Sequence, residues 1–256
     1  GTPAFFGLGA YTAVVVFKLS AAPLAVQILA AAAMSGLLGF ATGLLTLRLR
    51  GIFFAIATIA VTVIMETLFI NWRYAGGATG LQLLRPAPIW PFESYTTMLF
   101  VVMAVMAVAA VAVARYIETS WIGRGLRAIR DSEEAAECSG VPTLKLKVFA
   151  CTVCGALMGA AGAPMPMYLS FIEPASTFNL NYAIGALASP MIGGTAHYLG
   201  PVIGAILLST LQQVVTVTIS GEMNVLVVGV LLVVFVVAAP EGILGLFRKK
   251  FSAGKQ

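Results

Sequence analysis

The sequence predicts an all-α protein: a polytopic transmembrane helical bundle with short broken helices and one polar helical segment set between two spans. Three observations predict it. Of the 256 residues, 60% are hydrophobic and only 10% are charged, against about 25% charged in soluble domains. Apolar runs recur at about 18 to 20 residues, the length that crosses roughly 30 Å of hydrocarbon as a helix. Ten-residue segments of strict alternation, the mark of a membrane β-barrel, are absent.

The spans follow in order from hydropathy. The first covers about 3–17 and the second 23–47, closed by Arg48, Arg50 and Gly51. The third is 52–70, followed by a polar, Gly/Pro-rich loop over 71–93. The fourth is 95–114, and a charged stretch over 115–147 follows it. The fifth is 148–169, interrupted late by Pro164 and Pro166. A short, Gly-rich sixth segment covers 181–192, the seventh 201–219 and the eighth 225–239, before a basic tail with Arg248, Lys249, Lys250 and Lys255. The whole of 1–256 reads as one membrane domain. Gly1 stands where a Met would open a chain, so one or more N-terminal spans are expected to precede it.

The net charge is +5. Lys and Arg gather in a few loops, as the positive-inside rule expects of a membrane protein, and nucleic acid is not the implied partner. Arg115, Arg124, Arg127, Arg130, Lys145 and Lys147 put the 115–147 stretch in the cytoplasm. The Arg48/Arg50 turn then lies on the same side, with 71–93 and 171–179 outside. The tail returns to the cytoplasm if the sixth segment crosses, which is the preferred reading.

Within the charged stretch, 124–138 contains no Pro and reads as one helix, loosened at its start by Gly123 and Gly125 and ended by Gly140 and Pro142. Leu126, Ile129 and Ala136 share one face; Arg127, Arg130, Asp131 and Glu134 share the other. Arg127–Asp131 and Arg130–Glu134 are spaced for i,i+4 pairing. Such a helix can lie on lipid headgroups, but Asp131, Glu133, Glu134 and Glu137 would be repelled by anionic lipid. A mixed-charge face suits a protein groove better.

Short segments interrupted by Gly or Pro at membrane depth are where backbone groups line a cavity. Gly193, Gly194, Gly200 and Pro201 flank the sixth segment, and Gly7 and Gly9 follow the opening Gly1-Thr2-Pro3. These places mark either a solute path or helices packed closely through small residues. Glu66 is a carboxylate inside the third span, either lining the path or reaching the outer interface. Cys151 and Cys154 form a C-x-x-C on one helical face and read as small apolar packing residues, with no His, Asp or Glu nearby to support redox or metal chemistry. His197, the only His, reads as a turn residue. No metal and no cofactor are expected.

Glu134-Ala135-Ala136, then Gly140, resembles the EAA…G coupling loop of bacterial ATP-binding cassette (ABC) importer permeases. The surrounding sequence is similar to the LIV-type permeases, which carry branched-chain amino acids. The matching stretches run end to end in family order: GTPAFFGLGAYTA (1–13), LRLRGIFFAIATIA (47–60), IGRGLRAIRDSEEAAECSGV (122–141), FIEPASTF (171–178), MIGG and LGPVIGAIL (191–207), and PEGILGLF (240–247). The resemblance implies a non-catalytic permease subunit in the bacterial inner membrane. It implies pairing with a second, homologous permease, two cytoplasmic ATPases and a periplasmic substrate-binding protein. The charged stretch, 118–145, would be the cytoplasmic coupling helix, with Arg124, Arg127, Arg130, Glu133, Glu134, Ala135 and Gly140 meeting the ATPase. This sequence has no G-x-x-x-x-G-K-[ST] loop of its own, so ATP hydrolysis falls to the partners. Branched-chain amino acids are the expected solutes. Relatives of this type are also associated with urea, short amides and aromatic acids. A stand-alone channel or secondary transporter is a competing reading that the broken segments also fit, and an intramembrane enzyme would need reactive clusters the spans lack.

Overall fold

The structure is a computed structural model of the chain. It describes residues 1–20, 22–46, 52–83, 94–194 and 197–218, together with 226, 229 and 230. The chain divides into two compact units, Gly1–Asn179 and Leu180–Gln256.

The first unit is built on five long helices: α1 (Thr2–Ser20), α2 (Leu24–Thr46), α3 (Ile52–Asn71), α4 (Tyr95–Thr119) and α7 (Thr143–Gly162). All five are long and apolar enough to cross a membrane. A chain in hydrocarbon must satisfy each backbone N–H and C=O internally, and only the helix does so within one segment. Hydroxyls within the spans obey the same rule. Thr12 donates to Leu8 O, Thr42 to Leu38 O and Thr67 to Val63 O, each one turn back.

At the centre, α7 packs against both α2 and α1. The seams are made of small residues. A Cβ on Gly155 would sit 2.6 Å from Ser35 O, and one on Gly39 would sit 2.6 Å from Cys151 O. On the other seam, Cβ atoms on Gly9 and Gly162 would overlap the backbones of Gly159 and Phe6. Backbones in such contact gain van der Waals packing that apolar lipid cannot replace. Ser35 Oγ, fully buried, donates to Phe5 O at 3.0 Å and ties α2 to α1. By contrast, α3 and α4 leave wide apolar faces exposed, with Phe53, Ile64, Phe100 and Val108 among them. Such faces suit lipid or a second membrane subunit.

One end of this unit is closed by loop structure. The loop after α3 makes two 3₁₀ turns, Arg73–Ala75 and Gly77–Thr79, and then strand β1 (Leu81–Gln82). After α7 the chain breaks at Pro164 and forms α8 (Met165–Leu169), strand β2 (Phe171–Ile172) and α9 (Pro174–Thr177). The strands pair antiparallel, Leu81 opposite Ile172. Tyr11 of α1 stacks on Phe69 of α3 with ring centroids 4.2 Å apart, and Phe178 stacks on both. Lys18, at the end of α1, donates to Tyr74 O at 3.3 Å. The loops expected outside therefore share one end, and the charged stretch lies at the opposite ends of α4 and α7.

Among its described residues the second unit is a helical hairpin, α10 (Asn181–Gly193) and α11 (Gly200–Thr218). Ser189 and Gly193 face Gly200 and Gly204 so closely that a Cβ on Gly204 or Gly193 would overlap the opposing backbone. The expected eighth span and the basic tail lie outside the described residues, apart from the isolated positions above.

Three sequence expectations change. The helix expected over 124–138 is two helices, α5 (Trp121–Asp131) and α6 (Glu133–Cys138), broken at Ser132, whose φ and ψ are −160° and 116°. The charged stretch is also shorter than expected. α4 continues through Arg115 to Thr119, and α7 starts at Thr143, so Lys145 and Lys147 belong to a spanning helix. Finally, α1 runs through Gly7 and Gly9 without interruption. Glycine lacks a Cβ, but it does not break a helix whose backbone bonds have no competing partner.

Candidate functional site

The polar end of the first unit is the segment α5–α6. Two serines define its helices. Ser120 donates to Ile117 O at 2.7 Å and accepts from Gly123 N at 3.4 Å, ending α4 and starting α5. Ser132 accepts from Ala135 N at 3.3 Å and starts α6. Asp, Asn, Ser and Thr at this position satisfy N–H groups that a helix leaves orphaned. Glu133 and Glu134 follow in the first turn of α6, where the helix dipole favours negative charge.

The far end of α6 is closed by Gly140, with φ +80°. Gly140 N–H donates to Glu137 O and Val141 N–H to Ala136 O, at 2.9 and 3.0 Å. This is the reciprocal bonding of a Schellman turn, which needs a residue in the left-handed region.

The charged side chains separate into two groups. Arg124, Arg127, Arg130, Asp131 and Glu134 are exposed, as is the neighbouring Ala135. Arg127 does not pair with Asp131 as expected. Its Nη2 donates to Glu118 O at 2.7 Å, placing a cation at the C-terminal end of α4, where carbonyls lack helical partners. The Arg130–Glu134 spacing is also lost, because the break at Ser132 takes the two residues out of one helical register. Arg130 instead meets the adjacent Asp131 at 3.4 Å on the open surface.

Glu133 points the other way. It is ion-paired with Lys147 in the second turn of α7, the two side chains 34% and 23% exposed. Thr143 Oγ1 donates to Glu137 Oε1 at 2.8 Å, fastening the last turn of α6 to the first residue of α7. Leu146, buried, lies over Gly125 of α5, where a Cβ would press on its Cδ1. Above this region opens a cavity of about 920 Å³. Its lining includes Thr2 and Phe5 of α1, Thr42 of α2, Phe54 and Thr58 of α3, and Cys151 and Cys154 of α7. Glu133, Glu134 and Lys147 line it at the end nearest α6.

The path candidates fall elsewhere. A Cβ on Gly7 would overlap the Phe178 ring, and Gly9 sits on the α1–α7 seam. Gly193 and Gly200 face each other in the α10–α11 hairpin, and Gly194, at φ +105°, turns the chain out of α10. Pro201 occupies the first turn of α11, where its missing N–H costs nothing. Glu66 is half-buried in the last third of α3. His197 is exposed in the turn, its ring 4.1 Å from that of Tyr198 and its Nδ1 accepting from Leu199 N. Cys138, Cys151 and Cys154 are free thiols. Among the described residues no three His, Cys, Asp or Glu gather as a metal site.

The sequence reading missed the inward Glu133–Lys147 pair and the α7 glycines. Gly155, Gly159 and Gly162 recur at i, i+4 and i+7, a small-residue stripe that signals a packing seam. The Ser132 cap was also visible as a serine followed by two glutamates.

Known proteins place the chain. The family model described as "Branched-chain amino acid transport system / permease component" matches residues 1–236. The chain is 24% identical to the high-affinity branched-chain amino acid transport system permease protein LivM of Escherichia coli (strain K12), over 97% of this chain and 64% of LivM. It is 26% identical to the permease protein LivH of Salmonella typhimurium, over 59% of this chain and 49% of LivH. The ribose import permease protein RbsC of Haemophilus influenzae is 31% identical over 55% of this chain and 40% of RbsC. The chain thus spans less than two thirds of the length of these relatives. No solved structure matches it. With a match over nearly all its length and a helical bundle of apolar spans to go with it, the chain belongs to the branched-chain amino acid transport permease family.

Proposed function

We propose that this chain is a transmembrane permease subunit of an ABC importer in a bacterial inner membrane. In this reading it pairs with a second, homologous permease, docks two cytoplasmic ATPases and receives solute from a periplasmic binding protein. Branched-chain amino acids are the solutes favoured by the family match. The ribose permease among the relatives keeps a different small solute as the second reading, with urea, short amides and aromatic acids in the same class.

The observation that carries the proposal is the α5–α6 segment. It is a compact, exposed, mixed-charge surface between two spanning helices, capped at both ends and fastened to α7. Arg124, Arg127, Arg130, Glu134 and Ala135 present the docking face, and Gly140 sets its end. Glu66 is the path candidate that packing does not already explain. Gly9, Gly193 and Gly200 lie at close backbone contacts between helices, Gly7 lies under the Phe178 ring, and Gly194 and Pro201 flank the hairpin turn.

Co-expression with candidate ATPase and second permease subunits tests the reading. The expected outcome is a complex that retains the ATPases through purification and shows solute uptake dependent on ATP and on the binding protein. Uptake without ATP would favour a stand-alone channel or secondary transporter. Binding assays on the cognate periplasmic protein decide the solute.

A further inference from the structure

The charged residues of the docking segment do not share one task. Glu133, adjacent to the exposed Glu134, turns inward and pairs with Lys147. Within two turns of α7, three contacts tie the segment to that helix: Glu133 to Lys147, Glu137 to Thr143, and Gly125 beneath Leu146. That helix is also the one on which α1 and α2 pack, through glycines with no flexible side chain between the backbones. Packed elements of this kind move as units rather than deforming continuously. A displacement applied to α6 therefore passes to the base of α7, and from there to α1 and α2.

We infer that the Glu133–Lys147 ion pair is the joint that transmits movement of the ATPase-docking segment to the core of the spanning bundle. It acts by positioning α7 and does not itself meet the ATPase. The inference rests on the permease reading above. A charged pair is suited to a joint because it holds two elements together without a covalent link. The Thr143–Glu137 bond and the Leu146 contact hold the neighbouring points, so loss of the ion pair leaves the segment attached but slack.

The test uses the assembled transporter with its ATPases and binding protein. Glu133→Gln and Lys147→Gln are made singly, with the exchange Glu133→Lys/Lys147→Glu beside them. The expected result is that each single variant reaches the membrane and holds its ATPases as the wild type does, while uptake and solute-stimulated ATP hydrolysis fall about tenfold. The exchange should restore most of that loss, as a direct charge pair does in a double-mutant cycle. Full uptake in both single variants overturns the inference. Single variants that lose the ATPase overturn it as well, since Glu133 would then belong to the docking face. An exchange variant that inserts but fails to recover uptake counts against a direct pair. A wild-type chain that binds no ATPase overturns the permease reading, and with it this inference, and is distinguished from the other failures by the co-purification alone.

Discussion

Gly140 shows how much one backbone angle decides. A Cβ there would meet nothing within 4 Å, so a side chain is opposed only by the left-handed backbone, at a cost of about 1–2 kcal/mol. A β-branched residue costs more than alanine in that region. Gly140→Val is therefore expected to loosen the end of α6 and weaken ATPase retention, with Gly140→Ala intermediate. Glu134→Lys reverses a charge on the exposed face, where a like-charge contact costs several kcal/mol. Both positions lie outside the apolar spans, so both variants should accumulate in the membrane at wild-type levels while bound ATPase falls. Immunoblots of membranes beside ATPase pull-downs read the two quantities separately. Wild-type retention in both variants would return α5–α6 to the role of a surface-lying helix.

At the scale of elements, the glycine seams carry the bundle. Gly159 is buried on α7, where a Cβ would press on Ser35, and Gly9 of α1 approaches it from the other side. Gly159→Leu is expected to cost roughly 3 kcal/mol or more, because the obstacle includes backbone that cannot rotate aside. The measurement is thermal unfolding in detergent, together with membrane yield. Ser35→Ala removes one buried hydrogen bond to Phe5 O and should cost about 1 kcal/mol. In the hairpin, Gly193→Leu should unfold the α10–α11 contact for the same reason. Loss of assembly in that variant supports packing, whereas loss of uptake from an intact complex would restore the solute-path reading for Gly193 and Gly200. The break between α5 and α6 belongs to this scale too. Ser132 is an ordinary residue within a helical pattern, yet as a cap it ends one helix and begins another.

For the whole molecule, the pairing of β1 with β2 and the contact of Lys18 with Tyr74 gather the loops after α3 and α7 at one end. By the positive-inside rule that end is expected to be the outer one. A cysteine at Thr79, exposed in the loop, is expected to react with an impermeant thiol reagent applied to intact cells. The native Cys138, exposed on α6, should react only after the membrane is permeabilised. A cysteine at Lys249 should behave like Cys138 if α10 crosses. The reverse labelling of Thr79→Cys and Cys138 would invert the orientation.

The order of the five long helices of the first unit, and the place of the charged segment between α4 and α7, were legible in the sequence. They depend on local quantities: run length, hydropathy, and where Lys and Arg fall. The Gly140 turn was legible for the same reason, since a left-handed turn at a helix end is a local demand. Tertiary structure alone decided which face of each helix is covered. It made Gly9, Gly155, Gly159 and Gly162 seam residues, and it turned Glu133 inward to Lys147 while Glu134 stayed exposed. Hydropathy cannot separate lipid-facing from helix-facing residues, because both surroundings are equally apolar. That choice is made by backbone approach and side-chain volume between segments far apart in sequence.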